Sequence, residues 1–369
     1  MSKAAELAAL IGSQSAQSNR NFAINGAMQV AQRGTSTASV NSGGIYSCAR
    51  WNLFGSSFGA YTVSQSSNSP DGFANSLKLD CTTADTSPAA DDHLGIQMKF
   101  EGQDLQQLQK GTSSAKSVVV SFFVRSNKTG TYTLELDDRD NTRSFSKTYT
   151  ISSADTWEHK TVTFAGDTTG ALDDDNAHSF KLSWWLMAGS TFTGGTFTTG
   201  WEARTNANRV SSSNVNLSDS TSNEWYMTGV QMELGEVATP FEHRLIGDEL
   251  LQCQRYYYRV GDDNNGGGYH RYAVGSCQGT SSCGITVHAP VKMRTTPTLE
   301  QTGTASNYAL YEADVVHACS NVPAINSAHS GPSNFNVTFT SASNLASGNA
   351  AEAINNNNTT SYLAFAAEL

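Results

Sequence analysis

The sequence predicts an all-β protein: two β-sandwich domains of the jelly-roll type, joined by a short amphipathic helix and preceded by a short N-terminal helix. Three observations predict it. Period-two alternation of apolar and polar residues recurs along the chain, interrupted by turn-rich pieces such as "SSNSPDG", "NKTG" and "DDRDN"; this is the pattern of half-buried strands. The composition is polar yet weakly charged, with 15% charged residues, 31 Gly, 16 Phe, 13 Tyr and 6 Trp, which suits sheets with many turns. Helical spacing is confined to the start of the chain and to residues 241–260.

Residues 1–20 are expected to form a helix over 2–11 and a polar tether. Ala4, Leu7, Ala8 and Ile11 share one stripe at a/d spacing. So short a helix is marginal alone, so the stripe is expected to anchor the chain on copies of itself or on a larger particle. From Asn21 the period changes. "NFAINGAMQVAQRG" reads as a strand broken by a turn or bulge at Asn25-Gly26, opening a jelly-roll domain over 21–240. Strands are expected at 76–79, 94–100, 117–125, 132–137, 145–149, 158–164, 180–187 and 225–234. "SVVVSFFVRS", apolar on both faces, fits a central strand.

The segment 225–234 closes this domain, and Pro240 stops it. Ile246, Leu250, Cys253 and Tyr257 then recur at helical intervals, predicting a connecting helix over 241–260. Tyr256, Tyr257 and Tyr258 carry more ring surface than one helix face buries, so part of the run is expected between domains or subunits. Residues 261–369 read as an exposed loop, "GDDNNGGG", and a second β-sandwich. Its strands are expected at "YAVGSC", "CGITVHAPV", "TPTLEQTG", "FNVTFTSA" and "TSYLAFAAEL".

Charge and motifs exclude several function classes. A net charge of −10 argues against a nucleic-acid surface. After Gly261 the only basic residues are Arg271, Lys292 and Arg294. No apolar run approaches the ~20 residues of a membrane span, and the N-terminus lacks the layout of a signal peptide. The six cysteines lack disulfide-scaffold or zinc spacing and read as reduced thiols of a protein made in a cytoplasm. "GSSFG" matches the nucleophile elbow only formally, because that elbow needs a strand-to-helix turn. "ELDDRDN" and "LDDDNAH" have oxygen ligands suited to calcium, but the first reads more simply as a hairpin turn. No catalytic residue, metal or cofactor is assigned.

Aromatic residues beside polar ones are the best ligand candidates. Trp184 and Trp185 are adjacent in a strand, so one ring faces the core and Trp185 is assigned outward. Trp201 lies in a loop, and Tyr269 and Tyr272 frame "YHRY". Rings of this kind stack on sugar faces while polar neighbours read hydroxyls. The competing reading is core packing or subunit contact.

Several stretches together, "NRNFAINGAMQVAQRGTS", "WYMTGVQMELGEVATPFEHRLIGDELLQCQRYYYRV", "APVKMRTTPTL" and "AFAAEL", resemble a recurrent layout of bacteriophage tail-fibre and virion structural proteins. The resemblance implies a carbohydrate-binding-module-like jelly roll, then the "CQRYY" joint and a distal β-domain. It implies a non-enzymatic homotrimer made in the bacterial cytoplasm, attached to other virion proteins through residues 1–20, with a host-surface glycan as partner. Related modules often carry an Asp pair in the closing strand that helps hold calcium; Thr228 and Gly229 stand there instead. The alternatives are a purely structural virion protein and a polysaccharide-cleaving tailspike.

Overall fold

The computed structural model describes residues 19–44, 47–261, 268–342 and 344–369. The expected anchoring stripe, Ala4, Leu7, Ala8 and Ile11, and most of the expected loop after Gly261 lie outside these residues. The chain divides into two compact units, one ending at Glu249 and including Leu369, the other Leu250–Glu368. The division falls inside the helix Ile246–Gln254.

The first unit is a sandwich of two six-stranded antiparallel sheets. Its strands are β1 (Ser36–Val40), β2 (Asn52–Ser56), β3 (Ala60–Ser66), β4 (Ser76–Thr83), β5 (His93–Glu101), β6 (Val118–Ser126), β7 (Gly130–Asp138), β8 (Arg143–Ile151), β9 (Glu158–Phe164), β10 (His178–Ala188), β11 (Glu202–Ala203) and β12 (Glu224–Leu234). One sheet runs β1-β3-β4-β12-β6-β9 and the other β11-β8-β7-β10-β5-β2. The interleaving of early and late strands is what a jelly roll requires. Alternate residues of both inner faces fill one core, in which Trp184 meets Trp51 and Phe122 edge-on at 5.6 and 5.4 Å.

The opening stretch is not a strand. Asn25 and Met28 both adopt left-handed φ of 56°, which interrupts pairing and turns the chain at residues 24–27. It still crosses β12 through Phe22 N–H to Met232 O at 2.8 Å and Val230 N–H to Gly26 O at 2.9 Å. The Asn25 side chain accepts from Val30 N–H and donates to Val30 O and Ala49 O, while the Asn25 backbone carbonyl accepts from Trp51 Nε1. The coil is therefore as fixed as a strand.

The "VQMELGEVATPFEHR" motif is a structural clasp. Glu233 accepts from Thr239 N–H at 2.8 Å and Thr239 Oγ1 at 2.7 Å. Arg20 approaches Glu233 at 3.5 Å and donates to Thr239 Oγ1. Glu242 accepts from the N–H groups of Asn19 and Asn21. Entry and exit of the sandwich are thus tied together. Gly229, with φ 61°, lies at the bulge in β12, where a Cβ would come within 2.7 Å of Phe73; the position serves backbone geometry.

The second unit is β-rich as expected, but where a second sandwich was expected its main sheet closes on itself. Six strands, β14 (Arg271–Cys277), β15 (Ser282–His288), β17 (Tyr308–Glu312), β18 (Val315–Ile325), β19 (Asn334–Ser341) and β20 (Ala350–Asn355), close into a barrel in the order β14-β15-β19-β18-β17-β20. A separate sheet places β21 (Leu363–Ala366) between β13 (Tyr257–Val260) and β16 (Thr298–Gln301). The barrel interior is filled by Tyr272, Ile285, Tyr308, Leu310, Phe335, Val337 and Phe339.

The joint corrects one expectation. The helix ends at Gln254, and Tyr257 belongs to β13, opposite Ala366. The apparent helical interval from Cys253 to Tyr257 is a coincidence of spacing. Tyr256 and Tyr257 are buried, and Tyr258 stacks on Phe365 at 6.3 Å, so the tyrosine run is packed within the chain, Tyr257 and Tyr258 on an edge strand that pairs with β21. Cys253 is buried too, whereas Ile246 is 57% and Leu250 36% exposed.

Candidate functional site

The expected aromatic ligands separate into covered and open positions. Trp185 does face outward, opposite Thr133 and Gly95 in neighbouring strands. Yet it is only 1% exposed, because residues 189–214 pass over this face as a strap. Phe192 and Val210 pack on the indole, Arg209 lies 4.9 Å over its ring, and its Nε1 donates to Glu135 Oε2 at 2.9 Å. Arg209 clasps Glu135 with two bonds of 2.7 and 2.9 Å. Asp137 is held by Arg204 at 2.8 Å and Lys181 at 3.0 Å. Burial works to raise the Asp137 carboxyl, but Lys181, Arg209 and Arg204 outweigh it and hold the group below the usual range. Trp185 is thus part of a sealed layer.

Trp201 is half-buried on the same unit. Its ring meets Phe145 and Phe180 at 5.7 and 5.8 Å, and Nε1 donates to Ala165 O at 2.7 Å, so it completes the core. The acidic piece "ELDDRDN" is likewise satisfied from within. The Lys110 ammonium meets Asp138 at 2.6 Å, Asp167 at 3.1 Å, and the carbonyls of Thr169 and Gly170 at 2.9 Å each. A tethered cation fills the place in which calcium was weighed. Among the described residues no group of three or more His, Cys, Asp or Glu is arranged to hold a metal. "GSSFG" connects β2 to β3, with Ser57 at φ 52°; no helix follows, so the elbow geometry is missing. No described helix is long and apolar enough to cross a membrane.

In the second unit Tyr272 is a core residue. Alternation along β14 turns it inward, where its hydroxyl donates to Ser361 Oγ at 2.9 Å and its ring meets Tyr308 at 6.0 Å. Burial pushes its phenol up. Tyr269 is the opposite case: it is 51% exposed and borders a depression of ≈ 240 Å³ with Arg271, Tyr311, Val316 and Ile354.

The sheet register builds this depression on the outer wall of the barrel. Val274 lies opposite Glu352, Glu352 opposite Tyr311, and Tyr311 opposite Val316, one row across β14, β20, β17 and β18. Arg271 is opposite Ile354, which forms the apolar floor. Arg271 Nε is ion-paired to Glu352 Oε2, and its guanidinium lies 5.8 Å over the Tyr311 ring. The two-residue turn Ala313-Asp314, with φ of 49° and 66°, is the turn class that twists with its strands. It delivers Asp314 Oδ1 to the Tyr311 hydroxyl at 2.9 Å. That hydrogen bond to a carboxylate raises the Tyr311 phenol above its ordinary value. Val274, Val315 and Val316 are exposed around the site. Two rings, an apolar floor and a paired guanidinium and carboxylate can take a C–H face and hydroxyl groups together. Sequence reading found Tyr269 and missed Tyr311, Arg271 and Glu352, because only strand register unites them.

No protein-family model and no curated protein matches the sequence. Solved structures similar to this chain include the enzymatically active domain of tailspike protein 4 of Bacteriophage CBA120, at 13% identity and TM-score 0.31 over 58% of this chain and 22% of that one. A putative sugar binding protein from Bacteroides thetaiotaomicron is similar at 12% identity and TM-score 0.33, over 58% of this chain and 100% of that one. The family 11 carbohydrate-binding module from Clostridium thermocellum, in complex with a β-1,3-1,4-mixed-linked tetrasaccharide, is similar at 10% identity and TM-score 0.27, over 57% and 98%. The chain thus spans about a fifth of the tailspike domain. All three scores are low, and the all-β, jelly-roll description rests on this chain's own strand order.

Proposed function

We propose that this chain is a subunit of a bacteriophage virion fibre that attaches to saccharide on the host surface through the outer wall of its barrel. The observation that carries the attachment reading is the depression of Tyr269, Arg271 and Tyr311. Its rings are open to solvent, and its floor is apolar. Its charged pair can bond hydroxyls without a net charge that would demand an ionic ligand. So small a site binds weakly, and repetition over subunits of a trimer adds through multivalency. The phage setting is supported by the joint motif, whose residues form the clasp from Arg20 to Glu242.

A binder rather than a hydrolase is supported by how the carboxylates are used. Glu135, Asp137, Asp138 and Asp167 are each neutralised by Lys or Arg, and Glu352 is paired to Arg271. Each is committed to a cation partner, whereas glycoside cleavage needs one carboxyl free to give a proton to the leaving group.

The test is retention of the full-length protein on an array of purified bacterial surface polysaccharides. The expected outcome is binding to a subset, weakened at least about tenfold by Tyr311→Ala, a loss of about 1.4 kcal/mol. No retention of the unaltered protein on any polysaccharide overturns the attachment reading and favours a purely structural virion role. Light scattering checks the trimer: a particle of one chain mass overturns it.

A further inference from the structure

Three of the six cysteines, Cys277, Cys283 and Cys319, belong to the barrel core, and two of them face each other directly. Cys277 ends β14 and lies opposite Cys283 of β15 in the antiparallel register. Their class of pairing follows from the neighbouring bonds. Gln278 N–H donates to Ser282 O at 2.8 Å, so the adjoining pair is a hydrogen-bonded one. Cys277 N–H turns the other way, to Asn349 O at 2.8 Å. Hydrogen-bonded and open pairs alternate along an antiparallel ladder, so Cys277 and Cys283 form an open pair, with Cα atoms about 4.5 Å apart. That spacing lies inside the roughly 4.4–6.8 Å range of disulfides. Both side chains point inward from the same face. The loop between them is pinned, by Ser341 N–H on Ser281 O and Leu345 N–H on Thr280 O, so the two thiols are held in place.

We propose that Cys277 and Cys283 are an oxidisable pair that closes into a cross-strand disulfide when the protein meets a disulfide oxidant such as oxidised glutathione. The steps balance. One cysteine loses its proton and its thiolate attacks a sulfur of the glutathione disulfide, forming a mixed disulfide and releasing one glutathione thiolate. The second cysteine loses its proton and attacks the protein sulfur of that bond, closing the bridge and releasing the second glutathione. The protein gives up two electrons and two protons, and the oxidant becomes two molecules of reduced glutathione. Cys277 is the less completely covered of the two and is the first attacker. Burial first, then the adjoining Cys277 thiol, pushes the Cys283 thiol up, so closure is slow at neutral pH and quickens as pH rises toward the thiol range.

The experiment incubates the native full-length protein with oxidised glutathione, blocks remaining thiols by alkylation, and maps the bridges by peptide mass spectrometry. The expected result is a peptide linking Cys277 to Cys283, two hydrogen atoms lighter than the reduced pair, formed about tenfold faster per pH unit in mildly alkaline solution. The same link persists in Cys319→Ala. Six alkylated cysteines after prolonged oxidation overturn the proposal, as does a dominant link through Cys319. If Cys319→Ala fails to fold, the map of the unaltered protein alone decides, because Cys277 and Cys283 share the peptide between Arg271 and Lys292 while Cys319 lies beyond Arg294, so the expected bridge is internal to one peptide and a link through Cys319 joins two.

Discussion

The outer face of β7 and β10 in the sandwich and the outer wall of the barrel carry the same kinds of residue: aromatic rings beside arginines and carboxylates. In the sandwich, Trp185, Arg209 and Glu135 are sealed under a strap. In the barrel, Tyr311, Arg271 and Glu352 lie open. The difference is one of cover, and it changes what the same chemistry does. Under the strap the ion pairs hold a layer in place and leave no room for a ligand. On the barrel wall the pair is solvated, contributes little to stability, and remains available to an incoming hydroxyl.

The sharpest way to break this comparison is to remove one partner of a sealed pair. Arg209→Ala strands the Glu135 carboxylate in a covered site, and the sandwich is expected to lose ~3–5 kcal/mol. Arg271→Ala on the barrel wall is expected to change stability by less than about 1 kcal/mol. Urea denaturation followed by tryptophan emission reads the first, because all six tryptophans precede Glu249; circular dichroism reads the second. Equal losses would remove the distinction between the faces. Lys110→Ala, which leaves Asp138 and Asp167 around an empty place, is expected to cost ~3 kcal/mol, with chelators changing nothing in the unaltered protein.

Acid separates the regions next. Asp137 and Asp167 are held below the ordinary range, Asp137 as described; burial works to raise Asp167, but Arg143, the Thr169 N–H and Lys110 together outweigh it. Groups with depressed folded values contribute stability in full above the unfolded value of about 3.9, and that contribution is lost as pH falls through the lower folded values. Tryptophan emission is therefore expected to report loss of the sandwich below about pH 4. An emission spectrum unchanged down to about pH 2 would contradict the role given to these carboxylates. The smallest expected effect is on the helix: Ile246→Ser, at an exposed position, should move single-chain stability by less than about 0.5 kcal/mol. A large fall in assembled mass by light scattering would instead mark this residue as a contact between copies.

Much of this architecture was legible in residue pattern. The segment 158–164 matches β9 end for end, and the strands expected from 76 to 234 all lie on observed ones, because alternation is strong where one face is buried. β1, β2 and β3 were missed: "STASV" and "NLFGS" are short and half polar, and the alternation in "AYTVSQS" rests on only two large apolar residues, Tyr61 and Val63. β17 and β20 were missed because "YALYE" and "AAEAIN" are too short to show a period, and β18 because register shifts break its alternation over eleven residues. Burial of Trp185 was not legible at all, because Arg209 and Glu135 lie 74 residues apart and only the folded strap brings them together. The candidate site was legible in one residue, Tyr269, since its partners come from four strands.

Closure of β14 onto β20 completes a ring in which each barrel strand has a neighbour on both sides. An open sheet presents unsatisfied N–H and C=O groups that recruit strands from other molecules, and a closed ring removes that template. Barrels of crowded copies would then meet through side chains alone. The barrel's resistance to edge-to-edge pairing at high local density follows from topology, whatever ligand the outer wall takes.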